Sequence, residues 1–467
     1  MMFIPTLQTR RSSHRGGASL ALAGLLCGLL WAPPAAAQLR LPGGLGGGLG
    51  GQGGTAPLLP RLPVTPPLNT VSESTLAALD RTLQDVPLAQ LRQRTVRELL
   101  QRHDDVLEAD PAGEPAVRAE LVLFSPAAGT VARAQALGFR VLREEALAAL
   151  DQRTVVLAPP RGMGTAEALQ RLRALDPELD ADFNHVYTRS GGAGSAMALA
   201  VAGGSAVPAR RVGLIDSGVD AQHPALRGVA LSRWGCEPAD AARLASAHGT
   251  AVASLLMGSG AGAPPAPGSA LLVADVYCGQ ASGGSVEAVA RALGWLAEQR
   301  VGVINLSLVG PANRLLERVI AAMNRRGHLL VSAVGNDGPA APPLYPAAYA
   351  GVVGVTAVNA RRQVLPEAAQ GPQVSFAAPG AEVVAAAPGR GTAVVRGTSF
   401  AAPQVAALLA DRLPGPDAAA ATRAVMALVQ GAVDLGTPGR DTVYGWGLAA
   451  AGEDLSAGRS VPSVNRP

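Results

Sequence analysis

The sequence predicts an α/β protein in which a parallel sheet is flanked by helices and is preceded by a small α+β domain. Two observations lead to this fold class. Between residues 210 and 433, short and almost continuously apolar segments alternate with longer segments of helical length, a pattern typical of buried parallel strands joined by helices. Between residues 116 and 188, the predicted elements follow the order strand, helix, strand, strand, helix, strand. The chain has 467 residues and is 48% hydrophobic, which is enough for both cores.

The small domain is predicted from six consecutive segments. They are a strand at 119–124, a helix at 130–137, strands at 139–142 and 154–158, a helix at 165–175 and a strand at 182–188. This order is that of a ferredoxin-like α+β domain, which we assign to about 116–188. Upstream of it, leucines at loosely helical spacing predict one or two amphipathic helices within 72–105.

The larger domain is predicted at 207–455. Its strand-like segments are 212–215, 271–277, 301–308, 329–333 and 352–358, and its helix-like segments are 286–299, 315–326, 401–412 and 418–433. Parallel sheets carry their functional residues at the carboxyl ends of the strands and in the loops that follow. A site is therefore expected at that edge of the sheet.

The N-terminal 37 residues have the features of an export signal. Arg10, Arg11 and Arg15 make a positive start, and the apolar run from Ala18 to Trp31 is too short for a comfortable membrane span. The small residues 35–37 suit a signal peptidase, which predicts cleavage after the last of them. We expect an exported protein, periplasmic or extracellular, with no membrane span after the signal is removed.

Two other export routes remain open. Cys27 admits a lipoprotein anchor, although Leu26 precedes it where a lipoprotein signal has Gly or Ala. The Arg10–Arg11 pair admits twin-arginine export, although the polar Ser12 and Ser13 follow it where apolar residues are expected. The ordinary secretory route is favoured on both counts.

Composition and charge argue against a nucleic-acid partner. The formal net charge is +4, and three positive charges lie in the N-terminal signal, so the remaining chain is nearly neutral. All 39 Lys+Arg residues are arginine, which we interpret as compositional bias because no basic run is interleaved with aromatic residues. Residues 38–71, rich in Gly and Pro, predict a flexible linker. Residues 189–206 predict a cleavable junction, and residues 456–467 a short tail.

Two cysteines remain after removal of the signal, Cys236 and Cys278. In an oxidising compartment they can pair in a disulfide. The alternative is that they are small buried hydrophobic residues. Neither is a candidate nucleophile, because the sequence implies no base beside it.

Three short segments carry residues suited to nucleophilic catalysis. Asp216 ends an apolar strand and meets a turn, His248 opens a helix of small residues, and Ser399 lies at the start of another helix. The backbone N–H groups of such a helix start can stabilise negative charge. Taken singly, each residue has an ordinary structural alternative, namely a turn aspartate, a structural histidine or an N-cap serine.

Together the three segments resemble the Asp, His and Ser motifs of the subtilisin-like serine proteases. The chain has D-S-G at 216–218, H-G-T-A-V-A at 248–253 and G-T-S-F-A-A-P at 397–403, in the family's order. Segment 332–338 resembles the one that carries the oxyanion-hole asparagine, here Asn336. Two further stretches are similar to the family, 304–308 beside the specificity pocket and 444–447 near the end of the domain. The resemblance implies a subtilisin-like fold for the larger domain.

The resemblance also implies an exported serine endopeptidase that forms an acyl-enzyme intermediate on protein or peptide substrates. Ser399 is the implied nucleophile, and a serine hydroxyl needs a base to take its proton at neutral pH. His248 is implied to be that base, Asp216 to hold its imidazole in the right tautomer, and Asn336 to donate to the oxyanion. His223 stands in a turn that is similar to a non-catalytic turn of the family.

Substrate binding is implied at two exposed strand edges, because an extended peptide can add to a sheet through main-chain hydrogen bonds. The resemblance assigns these edges to Ser282 and Gly283, and to Ser307 and Leu308. The next residue, Val309, departs from the glycine of many relatives. Its branched side chain is expected to narrow or reshape the specificity pocket. Calcium is common in the family, but its ligands cannot be assigned from this sequence, and we assign no metal site.

Residues 72–188 are implied to be a propeptide, because relatives often carry one with the α+β order of 116–188, which assists folding and acts as an intramolecular inhibitor until it is cut away. The helices expected within 72–105 have no obvious counterpart in the family. The alternative is an accessory domain that is kept in the mature protein. For the activity, the alternative is a catalytically silent relative that binds peptides. An α/β-hydrolase esterase is disfavoured, because it has a G-x-S-x-G elbow with serine before histidine, whereas Ser399 lies in G-T-S-F-A and follows His248.

Overall fold

The computed structural model describes residues 91–189, 192–196, 208–236, 244–258, 265–389 and 391–449. The signal, the linker, the tail and most of the junction that we expect from the sequence lie outside these residues. So do Cys27 and the first part of the helical region upstream of the small domain. The fold below concerns the described residues alone.

The N-terminal part of the described chain is an antiparallel sheet covered by helices on one face. Its elements are α1 (Leu91–Arg102), β1 (Leu107–Ala109), β2 (Pro115–Phe124), α2 (Ala128–Ala136), β3 (Arg140–Leu147), β4 (Gln152–Ala158), α3 (Thr165–Leu175) and β5 (Asp180–Arg189). The strands lie in the order β5-β2-β4-β3, with β1 beside β2, and all of these neighbours are antiparallel. From β2 to β5 the elements follow the order strand, helix, strand, strand, helix, strand.

The C-terminal part is built on a parallel sheet. From edge to edge its strands are β15 (Val374–Pro379), β14 (Val352–Val358), β13 (Leu329–Ala333), β11 (Val303–Leu306), β7 (Arg211–Asp216), β9 (Ala270–Asp275) and β8 (Ala230–Trp234). Neighbouring strands are parallel throughout. Along β7, Leu214 and Ile215 pack in two different apolar cores, because successive side chains of a strand point to opposite faces.

Helices cover both faces of this sheet. One core holds α4 (Ala247–Leu256), α7 (Thr398–Ala410) and α8 (Ala418–Gly431), and the other holds α5 (Val286–Glu298) and α6 (Arg314–Arg325). The predicted parallel sheet flanked by helices is therefore confirmed. The second core continues into the N-terminal sheet, because Phe124 and Leu147 are buried in the same cluster as Leu293 of α5. The N-terminal sheet thus packs on the outer side of α5 and α6.

The expected strand at 301–308 is divided at Ser307. Its first half is β11, and its second half is the separate strand β12 (Leu308–Val309), which pairs with β5 of the N-terminal sheet instead of the parallel sheet. Another short strand, β10 (Gly284–Ser285), pairs with the other edge of β5. A continuous apolar run does not reveal such a division, because it shows only that the residues are buried.

Several short strands are not predicted by the sequence pattern. They are β6 (Gly192–Ala196), β8, β15, β16 (Val383–Ala387) and β17 (Gly391–Arg396). These segments are rich in alanine or glycine or carry charged residues, so they lack the β-branched runs on which strand prediction depends. β6 lies inside the expected junction and pairs antiparallel with β17.

Candidate active site

The three candidate catalytic residues lie on elements that pack at the carboxyl edge of the parallel sheet. Asp216 is the last residue of β7, His248 the second residue of α4, and Ser399 the second residue of α7. α4 and α7 pack together on one face of the sheet. The three residues are buried, with exposed fractions of 0%, 5% and 0%. The fold thus brings together residues from three distant parts of the sequence.

The Asp216 carboxylate holds the His248 ring. His248 Nδ1 lies 2.9 Å from Asp216 Oδ1, and the same oxygen accepts from the backbone N–H of Ser217 at 2.6 Å and from its hydroxyl at 2.8 Å. With the proton on Nδ1, the other ring nitrogen carries a lone pair and is the basic one. Sequence reasoning missed the contribution of Ser217, for which its place directly after Asp216 was the only available signal.

The His248 ring lies beside the helix start that carries Ser399. The centroid of the imidazole is 5.2 Å from the ring centroid of Phe400, the residue after Ser399. His248 Nε2 and Ser399 Oγ are both buried, and neither has a hydrogen-bond partner in the described part of the chain. Bonds between a nucleophile and its base are often long before a substrate binds. The hydrogen bond between Asp216 and His248 is therefore formed, whereas none is formed between His248 and Ser399.

Close backbone packing explains the glycine after His248. A Cβ atom at Gly249 would lie 2.2 Å from the carbonyl oxygen of Ser217, which is far inside van der Waals contact. α4 can therefore pack on the turn after β7 only without a side chain at this position. Ser246 caps the same helix, its hydroxyl accepting the backbone N–H of His248 at 3.2 Å.

The amide of Asn336 is fixed beside the start of α7. Its Oδ1 accepts the backbone N–H of Thr398 at 3.0 Å, and the Thr398 hydroxyl accepts the N–H of Gly335 at 3.3 Å. Because the oxygen faces Thr398, the Nδ2 end of the amide points the other way. The first N–H groups of a helix lack acceptors within it and favour negative charge. Ser399 N–H and Asn336 Nδ2 are therefore the two candidate donors to an oxyanion.

A cleft beside these residues is filled by the chain's own strand β5. β5 lies between β10 and β12 and pairs antiparallel with both, with Tyr187 opposite Gly284 and Thr188 opposite Val309. The residues expected to bind substrate border this cleft: Ser282 and Gly283 directly precede β10, Ser307 directly precedes β12, and Leu308 and Val309 form β12. The Ser307 hydroxyl also donates to the carbonyl of Ser399 at 3.1 Å.

A disulfide joins Cys236 and Cys278 at one side of the cleft. Between them lies Asp275, the neighbour of Asp216 in the register of β7 and β9. Burial raises the pKa of Asp275, and the backbone N–H groups of Cys278 and Tyr277 oppose that rise. In the described residues these three side chains are the only clustered potential metal ligands, and the disulfide leaves no thiolate. This group therefore offers a metal ion a single carboxylate.

Helix α1 reaches the loop that carries Asn336. The buried guanidinium of Arg92 pairs with Glu114 at 2.6 Å and lies 3.7 Å from Asp337, the residue after Asn336. Burial raises the pKa of Asp337, and the charge of Arg92 opposes that rise. This contact links the region upstream of the small domain to the candidate oxyanion site, and sequence reasoning gave no signal for it.

Comparison with known proteins identifies a family for the C-terminal part. The subtilase family model matches residues 209–447. The minor extracellular protease Epr of Bacillus subtilis is 32% identical over 204 residues, which cover 43% of this chain and 32% of Epr. The major intracellular serine protease of the same organism is 30% identical over 214 residues, which cover 43% of this chain and 67% of that protein. The chain therefore spans only about a third of the length of Epr.

A solved structure supports the fold. Fervidolysin from Fervidobacterium pennivorans, a keratinolytic enzyme related to subtilisin, aligns with a TM-score of 0.56 at 19% identity. The alignment covers 72% of this chain and 60% of fervidolysin. At this identity the likeness concerns the fold alone. No helix within the described ranges has the length and apolar character needed to cross a membrane.

Proposed function

The chain belongs to the subtilase family, and we propose that it is a serine endopeptidase. The proposal is based on this membership and on the hydrogen bond between Asp216 and His248. The observation that carries the proposal is the imidazole held by Asp216, whose ring centroid lies 5.2 Å from that of Phe400, the residue after Ser399. No metal or cofactor is needed for the steps below. The activity follows from the chain's own side chains.

In the first step, Ser399 Oγ attacks the carbonyl carbon of the scissile peptide bond while His248 Nε2 takes its proton. The Asp216 carboxylate stabilises the imidazolium that forms, and it stays ionised itself. The negative charge on the carbonyl oxygen is met by the backbone N–H of Ser399 and by Asn336 Nδ2. His248 then gives the proton to the leaving amine, which leaves an ester on Ser399.

In the second step, water attacks this ester while His248 takes its proton, and His248 then returns the proton to Ser399 Oγ as the ester bond breaks and the acid product leaves. The protein holds the reacting groups on two helices that are packed in one core. Such packing maintains the geometry that both steps need.

The substrates that we propose are protein or peptide segments bound in extended form between β10 and β12. Strand β5 supports this proposal, because it occupies that cleft with antiparallel pairing to both edges. The same pairing supports the role of residues 72–188 as a propeptide that inhibits its own enzyme. Export through the N-terminal signal remains part of the proposal, since an inhibited precursor suits a protease made in one compartment and active in another.

We expect the active form to begin downstream of residue 189. β5 ends at Arg189 in the cleft, and β6 begins at Gly192 and pairs with β17, which ends at Arg396, three residues before Ser399. We therefore expect the cut between these two strands. Intact-mass measurement and N-terminal sequencing of the purified active protein will locate the cut. An active form that keeps residues 91–189 would contradict the propeptide proposal and favour an accessory domain.

The competing function is that of a catalytically silent relative that binds peptides. The observation that favours it is that no hydrogen bond joins His248 and Ser399. A fluorophosphonate probe separates the two, because it reacts only with an activated serine. We expect the mature wild-type protein to be labelled on Ser399 and the Ser399→Ala variant to stay unlabelled. A folded, matured sample without labelling would support the silent relative.

Replacement of Asn336 by alanine is expected to lower kcat about a hundredfold to a thousandfold with little change in KM, because the lost donor acts on charge that develops in the transition state. The measurement is steady-state hydrolysis of a quenched peptide. Asn359→Ala is the matched control, because Asn359 caps a distant turn through the N–H groups of Arg361 and Gln363. A rise in KM without loss of kcat would instead make Asn336 a ground-state binding residue.

A further inference from the structure

Arg189, the last residue of β5, is exposed and borders a pocket of about 470 Å³ together with His248 and Tyr277. The guanidinium carbon lies 5.5 Å from the centroid of the Tyr277 ring, which is within cation–π range. Arg189 Nη1 also donates to the Ser246 hydroxyl at 3.2 Å. The side chain therefore has one aromatic and one polar partner in the larger domain.

The pocket favours positive charge for a second reason. The carboxylates of Asp216 and Asp275 end neighbouring strands that are paired in register. Burial is the main influence on the pKa of Asp275 and raises it, while the backbone N–H groups and the charge of Arg189 act against that rise. The guanidinium thus lies within the electrostatic reach of the buried Asp275 carboxylate.

The walls of the pocket are held in place. The Tyr277 side chain is 4% exposed, and the next residue, Cys278, is tied to Cys236 by the disulfide. Ser246 is fixed as the N-cap of α4. A binding surface that is rigid before the ligand arrives loses little entropy when the ligand binds.

The register of the bound strand is fixed by Tyr187, two residues before Arg189. Tyr187 is 0% exposed, and its hydroxyl donates to the carbonyl of Pro311 at 2.7 Å. A Cβ atom at Gly310 would lie 2.6 Å from the Tyr187 ring, so glycine at that position leaves the space for it. A strand anchored in this way cannot slip by one residue without losing the buried ring.

We propose that the face of Tyr277 and the hydroxyl of Ser246 form a subsite that selects arginine in substrates, two residues after an aromatic residue bound as Tyr187 is. This inference rests on the proposed endopeptidase function and adds a substrate class to it. The preferred substrates are extended peptides with the pattern tyrosine, any residue, arginine on the amino-terminal side of the cut.

The first test uses quenched peptides with the sequence of residues 184–196 and the mature enzyme. All peptides keep the tyrosine, so that the register is constant, and the arginine is replaced by lysine, citrulline or alanine. We expect kcat/KM for the arginine peptide to exceed that for the alanine peptide about threefold to thirtyfold, with citrulline below arginine because it lacks the charge. Equal values for arginine and alanine would overturn the proposal.

Variants of Tyr277 test the assigned partner. Tyr277→Phe keeps the ring face and is expected to keep the preference for arginine, whereas Tyr277→Leu is expected to lower the ratio of arginine to alanine and to leave only the part that the Ser246 hydroxyl supplies. A ratio of arginine to alanine that is the same in Tyr277→Leu as in the wild type would overturn the assignment of the subsite.

The second test needs no catalysis and uses the full chain with Ser399→Ala. Hydrogen exchange of residues 186–189 is compared for Arg189→Ala, Tyr277→Leu and the double variant. We expect each single change to speed exchange about threefold to thirtyfold and the double variant to add little, because the two side chains stabilise the same contact. Additive effects would overturn the proposal. If coupling is found but no peptide or protein is hydrolysed, the subsite stands and the endopeptidase function fails.

Discussion

Replacement of Ser399 by alanine is expected to lower the rate of peptide hydrolysis roughly a millionfold. The residue supplies the attacking oxygen, so no acyl-enzyme intermediate can form without it. The rate that remains should come from the oxyanion donors and substrate binding, which act on direct attack by water. The measurement is kcat on a quenched peptide, together with the intact mass of the full chain, which we expect to stay uncut between residues 189 and 192.

The matched control is Ser232→Ala, because Ser232 is exposed on the edge strand β8 and lies away from the site. It should mature and hydrolyse the peptide like the wild type. Ser399→Ala should keep the same circular dichroism spectrum as the precursor. Hydrolysis by Ser399→Ala within a hundredfold of wild type would rule out this serine as the nucleophile.

The change of Asp216 to asparagine is expected to lower kcat about ten-thousandfold. A neutral amide does not stabilise the imidazolium, and it does not fix the proton on Nδ1 as the carboxylate does. The Asp216 oxygen that accepts from His248 also accepts two bonds from Ser217. An asparagine oxygen can keep the two bonds from Ser217, so the side chain should remain in place while catalysis is lost.

Asp275→Asn is the control for this change. Asp275 ends the neighbouring strand in register with Asp216 and is 7% exposed, and its Oδ1 accepts the N–H groups of Tyr277 and Cys278. We expect it to keep kcat on the peptide without arginine within a few-fold of wild type. Equal losses in the two variants would mean that the charge of the sheet edge matters and that Asp216 has no special role.

Much of the larger domain could be predicted because its sheet is buried on both faces. Strands such as 212–215 and 329–333 are continuous apolar runs, and such runs occur where helices cover the strands. The strands that escaped prediction are short or lie at edges, where alanine and charged residues are tolerated. Their pairing is decided by distant partners, as when Thr188 pairs with Val309, and no local pattern encodes that choice.

The candidate site divides in the same way. Asp216, His248, Ser399 and Asn336 could be singled out because each stands in a motif with a recognisable spacing. Tyr277 could not, since an isolated tyrosine acquires its role only through the neighbours that the fold provides. The absence of a hydrogen bond between His248 and Ser399 likewise depends on side-chain positions, which the sequence does not contain.

Because of the ion pair between Arg92 and Asp337, the charge beside Asn336 depends on whether residues 91–189 are present. In the precursor, the cation of α1 compensates the carboxylate next to Asn336. If residues 91–189 depart, the cation leaves with them and the carboxylate stays behind. Maturation would then open the cleft to substrates and also make the electrostatic potential beside Asn336 more negative.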